Sequence, residues 1–169
     1  MIGGEDEPCG RCTSPKDTTL ADAKYDLIEV TILEVARHYW QTFAMPETQS
    51  WLRALQCAET RFPGPHGGEI ALETLATVQA MRVSRTSNFR FNNPNCPCCS
   101  QVVGEHERQF MSVFQAVRSN RVGLARTFAM LLCEGNNTDR FLMRMAALAK
   151  TVDPGVSSDA VEEFHPQMV

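Results

Sequence analysis

Lysine is scarce in this chain. Lys16, Lys24 and Lys150 are its three lysines, against thirteen arginines. A GC-rich coding sequence is enough to produce that bias, but it also makes the cationic groups planar forks suited to carboxylate or phosphate. Long apolar runs are missing as well, and none approaches the roughly 20 residues of a membrane-spanning helix. Met1 to Lys16 carries Glu5, Asp6 and Glu7 where a secretory leader needs an apolar stretch. With no leader read there, a reducing cytoplasm is the expected compartment. The chain also lacks a net positive charge. At −4 overall, no global field draws it to nucleic acid. Gly-rich phosphate loops, nucleophile elbows and paired zinc-protease histidines do not occur. Alternating strand patterns are absent apart from the short piece around Phe89 and Phe91.

What remains is an ordinary globular composition, 43% hydrophobic and 21% charged over 169 residues, enough for one domain with a real core. The apolar periodicity is helical. Ile28, Ile32, Val35, Tyr39 and Phe43 form one stripe and predict a helix over about Leu20–Phe43. Further helices are expected over about Glu47–Arg61, with Trp51, Leu55 and Ala58 inward, and Glu69–Val83, through Ile70, Leu72, Leu75, Ala76 and Val78. Three more follow: Val103–Ser119, with Phe110, Val113, Phe114 and Val117; Arg121–Glu134, with Leu124, Phe128, Leu131 and Leu132; and Thr138–Thr151, with Phe141, Leu142, Met145 and Leu148. The break at Phe62–Gly68 is rich in Pro and Gly. Gly135 suits a helix stop, and Asn137 or Thr138 an N-cap. The expected fold is all-α, a single domain of about six helices. Residues 1–18 form a polar arm, 19–152 the helical domain and 153–169 a polar, mobile tail. Residues 84–100 form an irregular connection of 17 residues, a length that is uncommon without a tether or a function.

Seven cysteines stand at 9, 12, 57, 96, 98, 99 and 133. Four of them form two Cys-x-x-Cys pairs, Cys9-Gly10-Arg11-Cys12 and Cys96-Pro97-Cys98-Cys99. Two thiolates at that spacing in a tight turn grip a metal ion from one side, and two such turns close a tetrahedral site. Gly10 tolerates a tight turn, and Pro97 stiffens the second one. Amides in that second turn can point at sulfur and stabilise thiolate. Both turns resemble the cysteine knuckles of zinc-ribbon proteins. The resemblance covers residues 9–12 and 96–99 alone. The 83 residues between Cys12 and Cys96 exceed the ribbon spacing, so it implies knuckle chemistry and no ribbon fold.

The expected cofactor is a structural Zn²⁺ on Cys9, Cys12, Cys96 and Cys99, tethering the arm and the long loop. A second ligand set is Cys96, Cys99, His106 and Cys133. It requires the helices over 103–119 and 121–134 to form a hairpin that brings Cys133 near His106. Cys57 and Cys133 otherwise read as small core residues. The second pair also resembles the glutaredoxin Cys-Pro-x-Cys motif, over four residues, but that family's mixed α/β fold has no counterpart here. All-helical peroxidase-associated oxidoreductases place a histidine four residues after the second cysteine, where this chain has Val103.

Glu29, Glu34, His38 and Glu59 do not meet the Glu-x-x-His requirement of a di-iron bundle and read as solvated helix faces. His66 reads as exposed, and Glu105-His106-Glu107 as complement to a helix start. Residues 82–126 carry Arg82, Arg85, Arg90, Arg108, Arg118, Arg121 and Arg126 against Glu105 and Glu107, a local excess of five positive charges. Phe89 and Phe91 interleave with them. The expectation is a non-enzymatic, zinc-stabilised interaction protein that meets a protein or nucleic acid through this stretch. The alternative is a dithiol oxidoreductase or redox sensor using Cys96 and Cys99.

Overall fold

The computed structural model describes residues 16–156 and Phe164. Cys9 and Cys12 lie outside the described residues. In chain order the elements are β1 (Thr18–Thr19), α1 (Leu20–Ala23), α2 (Leu27–Ala44), a 3₁₀ turn (Pro46–Thr48), α3 (Trp51–Arg61) and α4 (His66–Ser84). After the long connection come α5 (Pro97–Ser100), β2 (Val102–Val103), α6 (Glu105–Arg118), α7 (Val122–Leu132) and α8 (Asp139–Val152). The fold is all-α, with α1 and α5 as single turns beside six longer helices. Among the described residues no helix is long and apolar enough to cross a membrane.

The first expected helix is divided. Lys24 adopts a left-handed backbone (φ 54°) and closes α1. Asp26 then caps α2 in a reciprocal box: the Glu29 amide donates to the Asp26 carboxylate, and the Asp26 amide donates to Glu29. The remaining ends follow local chemistry. Gly135 takes φ 77° after α7, and Asn137 Oδ1 accepts from the Asp139 amide at the start of α8.

α2 packs on α3 and α4, α6 on α7, and α8 lies along α4 and against α6. Ile32, Leu33, Ile70, Met81, Phe110, Phe114, Phe141 and Leu148 are fully buried where these helices meet. Burying each such side chain contributes about 1.5–3 kcal/mol. Two helices sit differently from their apolar pattern. α3 and α7 turn alanines inward, Ala54 and Ala58 in one, Ala125 and Ala129 in the other, while Trp51, Leu124 and Leu131 stay exposed. Leu72 of α4 is exposed too. Small inward residues let helix axes approach closely, and that gain outweighs the larger side chains left at the flank.

At the α3–α4 turn, a Cβ on Gly67 would lie 2.6 Å from Glu59 Cα and 2.9 Å from Phe62 O, so only glycine fits. Val156 and Phe164 fall in the segment read as a polar tail, yet both are buried, with the Arg126 guanidinium 5.3 Å from the Phe164 ring.

Candidate metal centre

The second cysteine pair is built as a capped turn. Cys96 is the N-cap of α5 with extended backbone, Pro97 occupies the first helical position, and the Cys99 amide donates to Cys96 Sγ at 3.5 Å. Cys96 is half-buried, Cys98 exposed and Cys99 buried.

Two buried polar networks hold the loop around this turn. In the first, Arg37 of α2 points at Glu107 of α6. Arg37 Nε donates to Glu107 Oε1 at 2.8 Å and Nη2 to Oε2 at 2.9 Å. The same guanidinium donates to Ser100 O (2.7 Å) and Val102 O (2.5 Å), on either side of Gln101. Glu107 also accepts from the Asn92 amide, Asn92 Nδ2 and the Gly104 amide. The two side chains are 3% and 0% exposed. Every lone pair and proton of consequence is used, which is the condition under which a buried ion pair is tolerated.

In the second network, Asn95 Nδ2 donates to Gln41 Oε1 (3.0 Å), which also accepts from Ser50 Oγ (3.2 Å). The Ser50 hydroxyl proton is thereby spent, so the 2.8 Å contact to His38 Nδ1 makes His38 the donor there. Burial holds the His38 pKa below its usual value, which fits a neutral ring. Glu29 and His38, read from the sequence as solvated, are buried and bonded. Glu29 caps α2 and accepts from Gln115 and Arg118.

The end of the N-terminal arm meets this region directly. β1 pairs antiparallel with β2, Thr18 opposite Val103 and Thr19 opposite Val102, and the Leu20 amide donates to Gln101 O. Arg108 Nη1 donates to Lys16 O and Thr18 Oγ1, and Lys16 Nζ lies 3.7 Å from Glu105.

The second ligand set does not assemble. Among the described residues no three His, Cys, Asp or Glu side chains group to hold a metal ion. Cys133 is sunk in the core at the end of α7, where burial pushes its thiol up to about 11. His106 is committed elsewhere: its Nδ1 accepts from the Arg90 amide (2.9 Å), and its ring lies 5.4 Å from Phe89. Burial first, then nearby Arg85, lowers its pKa. The hairpin expectation is sound in its packing of α6 on α7, but the core claims the thiol. Cys57 is half-buried, and burial raises its thiol to about 12.

The arginine stretch divides by environment. Arg85 donates to Leu132 O, Ser87 O, Ser87 Oγ and Glu134 Oε1, and its side chain is 4% exposed. Glu134 accepts further from the amides and hydroxyls of Thr86 and Ser87, which holds its carboxyl well below the usual range. Arg118 pairs with Asp26, Glu29 and Asp153. Arg82, Arg90, Arg121 and Arg126 remain exposed.

The residues that anchor the loop, Arg37, Asn92, Asn95 and Glu107, carry no motif in the sequence. The nearest signal is the acidic triplet at a helix start, which gives the capping contact to Gly104 but not the ion pair. The chain matches no protein-family model, and neither a curated protein nor a solved structure is detectably similar to it.

Proposed function

We propose that this chain is a non-enzymatic helical interaction protein whose cysteine loop is closed on a structural zinc by Cys9, Cys12, Cys96 and Cys99. The observation that carries this reading is the β1–β2 pairing, which fixes Thr18 opposite Val103. Cys12 is six residues before Thr18. Six residues reach at most roughly 20 Å, enough to return to Cys99 four residues before Val103. The antiparallel register first leads away from Cys99, so a zinc held by Cys12 would require a turn before Lys16, and Pro15 is a turn-forming residue between Cys12 and Thr18. The amide on Cys96 Sγ supports a thiolate ligand. Zinc would add a tether to a connection that has little secondary structure of its own. The exposed Arg82, Arg90 and Arg121 supply cations for an acidic protein or nucleic-acid partner.

Elemental analysis of protein purified without added metal tests the site. About one zinc per chain is expected. Cys9→Ser should lose it and Cys133→Ser should keep it, because Cys133 is committed to the core. Metal-free protein with an unchanged unfolding transition and seven freely titrating thiols would end the proposal.

A dithiol oxidoreductase uses the same turn, and the amide contact to Cys96 Sγ also favours a reactive thiolate. The two readings separate on alkylation. Zinc-bound thiolates react slowly until a chelator is added. A working dithiol reacts at once and forms a reversible Cys96–Cys99 disulfide.

A further inference from the structure

Away from the cysteine turn, a cleft of about 530 Å³ opens between the end of α2, the end of α4 and the start of the long connection. That volume is in the range of small-molecule sites. Trp40, Phe43, Phe89 and Phe91 make its apolar wall, with Arg82 and Arg85 among the lining residues and no acidic side chain there among the described residues. Trp40 and Phe89 are packed at 4.4 Å between ring centroids, so this wall is set before any ligand arrives.

The two arginines are not equivalent. The charge of Arg85 is answered by Glu134 at 3.2 Å, and its donors are spent on Leu132 O and Ser87. Arg82 lies with its guanidinium carbon 3.7 Å from the Phe43 ring centroid, and Nη1 donates to Gln79 Oε1 at 2.7 Å. Those contacts orient a planar cation without neutralising it. The indole N–H of Trp40 is buried and has no hydrogen-bond partner among the described residues.

We infer that this cleft binds a small organic monoanion, a carboxylate carried on a flat aromatic or apolar body. The body packs on the half-buried Phe89 and Phe91 rings, which rest on the buried Trp40, and the carboxylate meets the open edge of the Arg82 fork. One unneutralised guanidinium matches one negative charge. A phosphate ester, close to dianionic, would bring a second charge that the cleft does not answer. This inference is independent of the zinc reading, since among the described residues no cysteine lines the cleft.

Naphthoate titrated into isotope-labelled full-length protein tests it, read at the two indole N–H signals, Trp40 and Trp51, which a Trp51→Phe variant assigns. The Trp40 signal should shift to saturation. Neutral naphthamide, and naphthoate with Arg82→Gln, should each bind about tenfold more weakly, the loss expected for one charge-assisted contact. Arg82 is exposed, so its replacement should leave the fold intact, as the unperturbed remainder of the spectrum would confirm. Equal affinity for acid and amide overturns the proposal, as does undiminished binding by Arg82→Gln. A shift of Trp51 in place of Trp40 puts the probe in the apolar groove between α3 and α4 and equally rejects it. Tighter binding of naphthyl phosphate than naphthoate rejects the monoanion assignment, and no saturation at millimolar naphthoate rejects the site.

Discussion

Glu107 does three jobs with one carboxylate: it pairs Arg37, accepts from both nitrogens of Asn92 and caps α6 through the Gly104 amide. Removing its charge strands a buried guanidinium. Glu107→Gln should therefore cost about 3–5 kcal/mol in urea unfolding, the range for breaking one side of a buried pair. A loss under about 1 kcal/mol would mean that water reaches Arg37 and the clamp is weak. His38 makes a different prediction. Its folded pKa is depressed by burial, so below an unfolded value of about 6.5 the unfolded chain takes up a proton that the folded chain refuses. The stability it contributes is full above that value and is lost as pH falls toward the folded pKa. His106 is depressed in the same direction and adds to the same window. The melting temperature should drop between about pH 7 and 5. The double variant His38→Gln/His106→Gln should flatten that slope, and an unchanged slope would assign it to other groups. Asp26 and Glu134, whose carboxyls are held low, act only at more acidic pH.

At the scale of elements, the decisive feature is that α3 and α7 approach their neighbours through alanine. α3 meets α4 so closely at Gly67 that a methyl group there would strike the Glu59 backbone. Gly67→Ala should cost about 1–3 kcal/mol by overpacking. Gly68, three residues after Pro65 of the same turn, has open space around its Cβ position. Gly68→Ala is the control: it should be neutral or slightly stabilising by helix propensity. Equal effects at both positions would show that backbone entropy, not the close approach, governs the turn. The connection between α4 and α5 is the opposite kind of element. Its Phe89 and Phe91 pack on Trp40, and its polar residues bond to α2 and α6, so it is fixed by tertiary contacts with little secondary structure of its own.

For the molecule as a whole, three of the seven arginines of the local positive excess are internal mortar. Arg85 and Arg118 sit in ion pairs, and Arg108 fastens the arm to α6. Only the exposed arginines are available to a partner. The double charge reversal Arg90→Glu/Arg121→Glu should lower retention on a heparin column while leaving zinc content unchanged. Unaltered retention would confine these residues to an ordinary solvated surface. Reversal at Arg85 cannot serve this purpose, because it would break the bonds to Leu132 and Glu134 and disturb the fold.

The helical class and the six longer helices were legible in the sequence, because 3.6-residue periodicity and Pro/Gly punctuation are local properties; the irregular stretch is shorter than 84–100, since Ser84 ends α4 and Pro97–Ser100 form α5. Also legible was a turn at Cys96 with an amide pointing at sulfur, which depends on four consecutive residues. The break at Lys24 had a local signal too, in the spacing of Asp26 and Glu29. Other features had no local signal. Arg37 and Glu107 are 70 residues apart, and each alone reads as a surface charge. The choice of alanine faces in α3 and α7 depends on how near the neighbouring axis lies. Cys133 had a local signal as a small core residue, but its separation from Cys96, Cys99 and His106 follows from how α7 sits on α6. These were decided only by the tertiary structure, because a charge or thiol takes its role from the burial and partners that distant elements supply.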